Sequence, residues 1–262
     1  MNTICGLAEV TVNLLLFSPQ ELRDDNTLHV SDERFTHLQL VLQVSEGDSV
    51  RIGQINGQLG TGTVKELSSD HVVLTVALTQ DPCEKLPVTV ILALPRPKML
   101  RRIIRTIAEM GVRDLHLINS YRVEKSYWQS PVLAHDVIEN YLLQGLSQAR
   151  DTVLPRVSLY PRFKPFVEDS LPAIIAHRRA LLAHPGPVPL GPADEGIDSV
   201  LIIGPEGGFI PYEVEKLVAA GAQQVSLGVR VLRVDTAIPA LVGRLLTGTR
   251  ADRATQPYSE PG

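Results

Sequence analysis

The chain has 262 residues, a formal net charge of −4, 44% hydrophobic residues and 21% charged ones. That length suits one large domain or two unequal ones, and the composition excludes a disordered or fibrous chain. No apolar run could span a bilayer, and the short apolar stretch Val10–Phe17 follows Glu9 without a basic flank, so neither a membrane span nor a signal peptide is expected.

The first third reads as short strands: Asn13–Phe17, Ser49–Ile52, Gly62–Glu66 and Val72–Leu78, with turn signals at Ser45–Asp48 and Asn56-Gly57. Strands at this spacing predict a small barrel. One helix is expected over Asp32–Val41, capped by Ser31 or Asp32. From Asp81-Pro82 to Pro87 the texture changes to that of a linker. The continuous apolar run Val88–Leu94 then reads as a strand buried on both faces, as in a parallel sheet.

A helix follows, with Pro97 at its first position, Gly111 just past its end, and Met99, Ile103, Ile104, Ile107 and Met110 at helical spacing. Strand and helix go on alternating. Strands are expected at Leu115–Ile118, Val157–Leu159, Ala180–Ala183, Val200–Ile203 and Gln224–Leu227. Helices are expected at Val132–Ala149, Phe166–His177, Tyr212–Ala220 and Thr236–Leu246, with a Pro/Gly-rich loop over Pro185–Gly196. This is an α/β domain with a mostly parallel sheet. The polar tail from Thr249 to Gly262 is expected to be disordered.

Charge is unevenly placed. Residues 1–85 hold 5 Lys/Arg against 12 Asp/Glu, and residues 86–262 hold 20 against 17. A polyanion contact should therefore be local and favour the C-terminal part. Cys5 and Cys83 form no pairing pattern and read as free thiols in a reducing cytoplasm. The seven histidines make no metal-ligand spacing, so no metal is expected.

Two motifs stand at strand ends. In Leu201–Phe209 a buried strand runs into Gly204-Pro205-Glu206-Gly207-Gly208. Glycines let main chain approach a ligand closely, and parallel sheets bind ligands beyond the carboxyl ends of their strands. The order is neither a P-loop nor the dinucleotide fingerprint. Taken alone it fits a plain strand-to-helix turn as well as a ligand loop. In the second motif, Val225–Ala237, a strand ends at Leu227-Gly228, a loop carries Arg230 and Arg233, and a helix begins at an Asp235 or Thr236 cap. Arg233 lies between Leu232 and Val234 beside that cap, where a purely solvated role or a structural ion pair is the alternative to a functional one.

Gly204-Pro205-Glu206-Gly207-Gly208-Phe209 followed by Leu227-Gly228-x-Arg230-x-Leu232-Arg233-x-Asp235-Thr236-Ala237 resembles the SPOUT methyltransferases, and within them the RsmE family, which methylates N3 of a uridine in small-subunit (16S) ribosomal RNA. The resemblance covers nearly the whole chain. His37-Leu38, Val41-Leu42 and Gly47-Asp48 are similar to that family's N-terminal PUA-like domain, and Leu94–Lys98, Glu109–Val112, Gln148–Arg150 and Leu154-Pro155 also fit. Three departures are visible: Asp235 where the family has Glu, Gln43 where it has Arg, and residues 1–10 ahead of the usual start.

The resemblance implies a PUA-like, RNA-binding β-barrel over residues 1–83 and a SPOUT domain with a trefoil knot over 87–249, with the disordered tail at 250–262. It implies a cytoplasmic homodimer that binds S-adenosyl-L-methionine in three loops. Their residues would be Ala183, His184 and Pro185; Gly204, Pro205, Glu206, Gly207 and Gly208; and Leu227, Gly228, Leu232 and Arg233, with Ala237 behind them. Arg233 is the candidate for an electrostatic role at the acceptor or its phosphate, and Glu206 is the second catalytic candidate, with His184 and Asp235 as further nominees for the base.

Arg96, Lys98, Arg101, Arg102 and Arg105 form a cluster without an acid, the last four on one helix face, which suits ribosomal RNA phosphates as well as a solvated surface. Three rival functions remain open on the sequence: a knotted transfer-RNA ribose methyltransferase, a non-catalytic RNA-binding or ribosome-assembly protein, and a small-molecule methyltransferase.

Overall fold

A computed structural model describes residues 14–191 and 197–246. Cys5, Asn13, residues 192–196 of the expected loop and the tail from Thr249 lie outside the described residues. The chain divides into two compact units. One comprises the residues up to Glu84 together with Leu143–Leu154, and the other Lys85–Leu142 together with the residues from Pro155 onward.

The first unit is built on a five-stranded sheet of order β1-β3-β4-β5-β2, with β1 at Leu15–Phe17, β2 at Thr27–Val30, β3 at Ser49–Gln54, β4 at Leu59–Leu67 and β5 at Val72–Gln80. β1 runs parallel to β3, and the other ladders are antiparallel. Where sequence spacing predicts a barrel, β1 and β2 are the edges of this sheet. Alternating side chains from the strands, among them Phe17, Leu28, Ile52, Val64 and Leu74, make its core with Phe35 and Leu38 of helix α1 (Glu33–Leu40). Asp32 caps α1 by accepting the Arg34 main-chain N–H at 2.9 Å, as its place before the apolar pattern predicts. β2 was not foreseen: Thr27–Val30 is only four residues long, too short for a periodicity to show.

The second unit holds a six-stranded parallel sheet of order β11-β9-β10-β6-β7-β8. Its strands are β6 (Leu86–Ala93), β7 (Val112–Ile118), β8 (Arg156–Tyr160), β9 (Arg179–Ala183), β10 (Ser199–Ile203) and β11 (Gln223–Val225). All five residues of β10 are buried, and so are the last six of β6, which explains why both read as unbroken apolar runs. Helix α2 spans Pro97–Glu109 and buries Leu100, Ile103, Ile104, Ile107 and Ala108. Its stop is Gly111, which takes φ +70, a left-handed conformation that costs glycine least.

Helix α3 spans His135–Ala149, after a 3-10 turn at Pro131–Leu133 that takes the first residues of the expected helix. Pro131 sits at the front of that turn and offers no N–H to continue a preceding helix. The helix expected at Phe166–His177 is irregular: α4 (Phe163–Pro165), a π segment at Phe166–Ser170 and α5 (Leu171–Ile175). Pro165 and Pro172 remove two helix donors there, and His177, at φ +58, lies beyond its end. Two helices complete the unit, α6 (Pro211–Ala219) and α7 (Val234–Leu246). No helix among the described residues is long and apolar enough to cross a membrane.

Candidate active site

Three strand ends meet at one level. Register pairs Ile203 at the end of β10 with Ala183 at the end of β9, and Ala183 with Val225 at the end of β11. The loops that follow therefore leave the sheet side by side, although 42 positions separate the first from the last in sequence, Ala183 to Val225. His184 N–H donates to the Val225 carbonyl at 3.0 Å and ties the loop after β9 to the end of its neighbour β11.

Between these loops and the start of α7 lies a cavity of about 380 Å3. Twelve of the thirteen cofactor-binding residues expected from sequence line it: Ala183, His184, Pro185, Gly204, Pro205, Glu206, Gly207, Gly208, Leu227, Gly228, Leu232 and Ala237. Arg233 is the exception. Its side chain is exposed outside the lining, and its carbonyl accepts the Thr236 and Ala237 N–H groups at 3.0 and 2.8 Å. Arg233 is thus the N-cap of α7, which starts at Val234, so Asp235 lies in the first turn and is not the cap. Likewise β11 ends at Val225, two residues before the sequence places it. Ser226 turns the chain instead, its hydroxyl accepting the Gly228 N–H at 3.1 Å.

The glycines act through their main chain. A Cβ on Gly204 would lie 3.2 Å from Gly208 Cα and Phe209 N, so a side chain there would press on the turn's own main chain. Gly208 and Gly228 adopt φ +70 and +112. Gly208 N–H closes the tight turn onto the Pro205 carbonyl at 2.7 Å.

Glu206, the second catalytic candidate, lines the cavity, and its Oε1 accepts the Arg96 main-chain N–H at 3.2 Å. The carboxylate thereby sits at the N-terminus of α2, where the exposed N–H groups favour negative charge, and fastens the glycine loop to the β6–α2 connection. Asp235 stands 4.0 Å from Arg102 of α2, and its Oδ1 is buried without a hydrogen-bond partner.

Sequence reasoning missed several contributors. Arg122, from the loop after β7, lines the cavity and donates from Nη1 to the Gly207 carbonyl. Glu213, 2% exposed, accepts the Tyr121 N–H at 2.7 Å and the Ile210 N–H at 3.0 Å. Arg122 carries no local motif and Glu213 only that of a helix-start acid; their contacts with Gly207 and Tyr121 reach across 85 and 92 positions. Phe209, Val234 and Leu241 add apolar wall.

Of the basic cluster, Arg96, Lys98, Arg101 and Arg102 are exposed, whereas Arg105 is half-buried with its guanidinium 5.4 Å from the Tyr141 ring centre. Among the described residues no group of three or more His, Cys, Asp or Glu could hold a metal ion.

Three comparisons with known proteins bear on this site. The chain is 29% identical over 246 residues to the ribosomal RNA small subunit methyltransferase E of Treponema pallidum, covering 92% of each protein. It is 28% identical to the protein of the same name from Mycobacterium bovis, covering 87% of this chain and 90% of that one. Among solved structures, a Legionella pneumophila protein with bound cofactor SAM superposes with a TM-score of 0.72 at 22% identity, over 91% of this chain and 99% of that one. The ribosomal RNA small subunit methyltransferase E of Neisseria gonorrhoeae, bound to S-adenosyl methionine, gives 0.70 at 20% identity, over 88% and 95%. The profile of the RNA methyltransferase domain matches residues 82–246, the span that contains the parallel sheet and all three loops, and the chain belongs to that family.

Proposed function

We propose that the protein methylates N3 of a uridine in small-subunit (16S) ribosomal RNA, with S-adenosylmethionine held in the cavity at the ends of β9, β10 and β11. The observation that carries this reading is the row Ala183, Ile203 and Val225. It brings three main-chain-lined loops around a space of about 380 Å3, within the range of small-molecule sites. The residues fit such a group. Gly204, Gly208 and Gly228 leave main chain uncovered for an adenine edge, while Leu227, Leu232 and Leu241 supply apolar wall. Bound there, the cofactor supplies an electrophilic methyl group.

The protein's own part is alignment and charge. The loops position the acceptor for in-line attack, which can provide much of the rate enhancement. Arg233, exposed beside lining residues Leu232 and Val234, brings positive charge toward the acceptor nucleotide or its phosphate. Glu206 holds its own loop through Arg96 and is the one carboxylate among the described residues that line the cavity. Arg96, Lys98, Arg101 and Arg102 offer cations to the RNA backbone.

The reading extends to a PUA-like RNA-binding domain in the first 83 residues, a trefoil-knotted domain over 87–249, a cytoplasmic location and a homodimer. Val229 and Val231, 97% and 88% exposed on a loop whose neighbours line the cavity, are apolar surface of the kind a second copy covers. Mass spectrometry of ribosomal RNA from cells lacking the protein should show one methyluridine missing. An intact methyluridine set, or loss of a transfer-RNA ribose methyl instead, would refute the assignment.

A further inference from the structure

The loop after β7 carries two side chains that the reading above leaves unused. Tyr121 is 79% exposed, the largest exposure of any aromatic among the described residues. Its main chain is nonetheless firmly held. The Tyr121 N–H donates at 2.7 Å to Glu213, a carboxylate 2% exposed whose other oxygen binds the N-terminus of α6. Such a ring on a rigid base is a ready platform for an unstacked nucleobase.

The next residue, Arg122, lines the cavity and is anchored to the loop that would hold the cofactor, with Nη1 on the Gly207 carbonyl. Its stem lies against that glycine, because a Cβ on Gly207 would come 3.0 Å from Arg122 Cδ. A guanidinium has five donors, and this contact engages Nη1 alone. The other ionisable lining side chains are His184, Glu206 and Arg230. Glu206 is turned to Arg96, and Arg230 belongs to the exposed 229–233 loop. Arg122 is the cation whose position the glycine loop itself fixes.

We propose that Tyr121 and Arg122 hold the acceptor base, Tyr121 by stacking on its ring and Arg122 by donating to a carbonyl oxygen beside N3. This rests on the uridine-N3 reading above. The N3–H proton passes to solvent water, and the resulting imide anion spreads its charge over N3 and the two flanking carbonyl oxygens. A guanidinium on one of those oxygens favours the anion over the neutral base. The N3 electron pair then forms the new N–C bond as the methyl group leaves sulfur, and the C–S pair stays on sulfur.

The test uses the full chain, purified small-subunit ribosomal RNA and saturating S-adenosylmethionine, from neutral to alkaline pH. Arg122→Ala should lower kcat on the order of 10²-fold at neutral pH, the usual cost of removing one donor to a developing anion. Its rate should then climb with pH, so that the loss shrinks as solution hydroxide takes over the ionisation. Because Arg122 also anchors the glycine loop, kcat is compared at cofactor concentrations that saturate each variant, and Arg122→Lys should recover part of the rate. Tyr121→Ala should weaken RNA binding, measured without cofactor, by about tenfold, as loss of one stacked base does, and Tyr121→Phe should restore it.

The same fractional loss of kcat at every pH, with cofactor saturating, would overturn the role given to Arg122. Unchanged RNA affinity for Tyr121→Ala would overturn that given to Tyr121. If wild-type protein leaves uridine N3 unmethylated, the reading under Proposed function fails as well. If wild type methylates N3 and only the variants disagree, this inference alone fails.

Discussion

The two ends of the six-stranded sheet are built from the same strands and do opposite things. At the N-terminal ends, charged side chains pair with one another. Asp114 of β7, 5% exposed, accepts from Arg156 Nε at 2.6 Å and from Arg113 Nε at 3.2 Å. Arg113 reaches on to Asp198 at 2.5 Å, and Arg178 donates to Thr89 of β6 at 3.2 Å. At the carboxyl ends, glycine loops take the place of that network, and main-chain groups border a cavity. Polar groups that find partners inside the fold stabilise it, while groups left facing a cavity are available to a ligand. In a parallel sheet all strands point the same way, so every βα loop falls at one end and the division is built in.

The comparison breaks if a change at one end disturbs the other. The largest effect is expected at Gly204. Gly204→Ala pushes a Cβ against the main chain of Gly208 and Phe209. S-adenosylmethionine binding by calorimetry should weaken at least tenfold, about 1.4 kcal/mol or more. Unchanged affinity would place the cofactor elsewhere. Gly207→Ala should do less, because its Cβ meets only the flexible Arg122 side chain.

At the opposite end, Asp114→Asn should lower stability by about 1–2 kcal/mol, the low end for bonds to a charged group because Arg156 is 75% exposed. Tm should fall by several degrees while cofactor affinity holds. Burial alone would push the Asp114 carboxyl up, but the guanidiniums of Arg156 and Arg113 outweigh it and hold it below the ordinary carboxylate range. A carboxylate lowered on folding adds stability above its unfolded value and loses it as pH falls through its folded one. The gap in Tm between wild type and Asp114→Asn should therefore close on acidification. A gap that persists below the carboxylate range would assign the effect to packing instead.

The smallest effect is expected at the basic cluster. Replacing exposed Lys98 and Arg101 by Ala should weaken RNA binding a few-fold and reduce its salt slope by about 0.7 per lost phosphate contact. An unchanged slope would make that helix face ordinary solvated surface.

Legibility in the sequence followed the range of the interaction. The buried strands β6 and β10 announced themselves as apolar runs, and α2 by its spacing with Pro97 and Gly111 at its ends, because these signals are local. The glycines of the cofactor loops were equally visible, since a turn that excludes Cβ must show in the residue itself. Arg122 and Glu213 were not visible as site residues. Arg122 reads as one more surface cation until Gly207 is found beside it, and Glu213 as a helix-start acid until Tyr121 is found above it. Arg233 shows the reverse: its motif marks it, yet its side chain points outside the lining while its carbonyl caps α7.

By itself, the order of residues determined the buried strands β6 and β10 and helix α2, where glycine stands in the loops, and which family the chain resembles. Only the tertiary structure decided that Ala183, Ile203 and Val225 share a row, that Arg122 enters their cavity, and that Asp114 is enclosed by guanidiniums. The reason is physical. Backbone preference and hydrophobic period act within a few residues, whereas strand register and charge pairing arise when distant segments are packed against a common core.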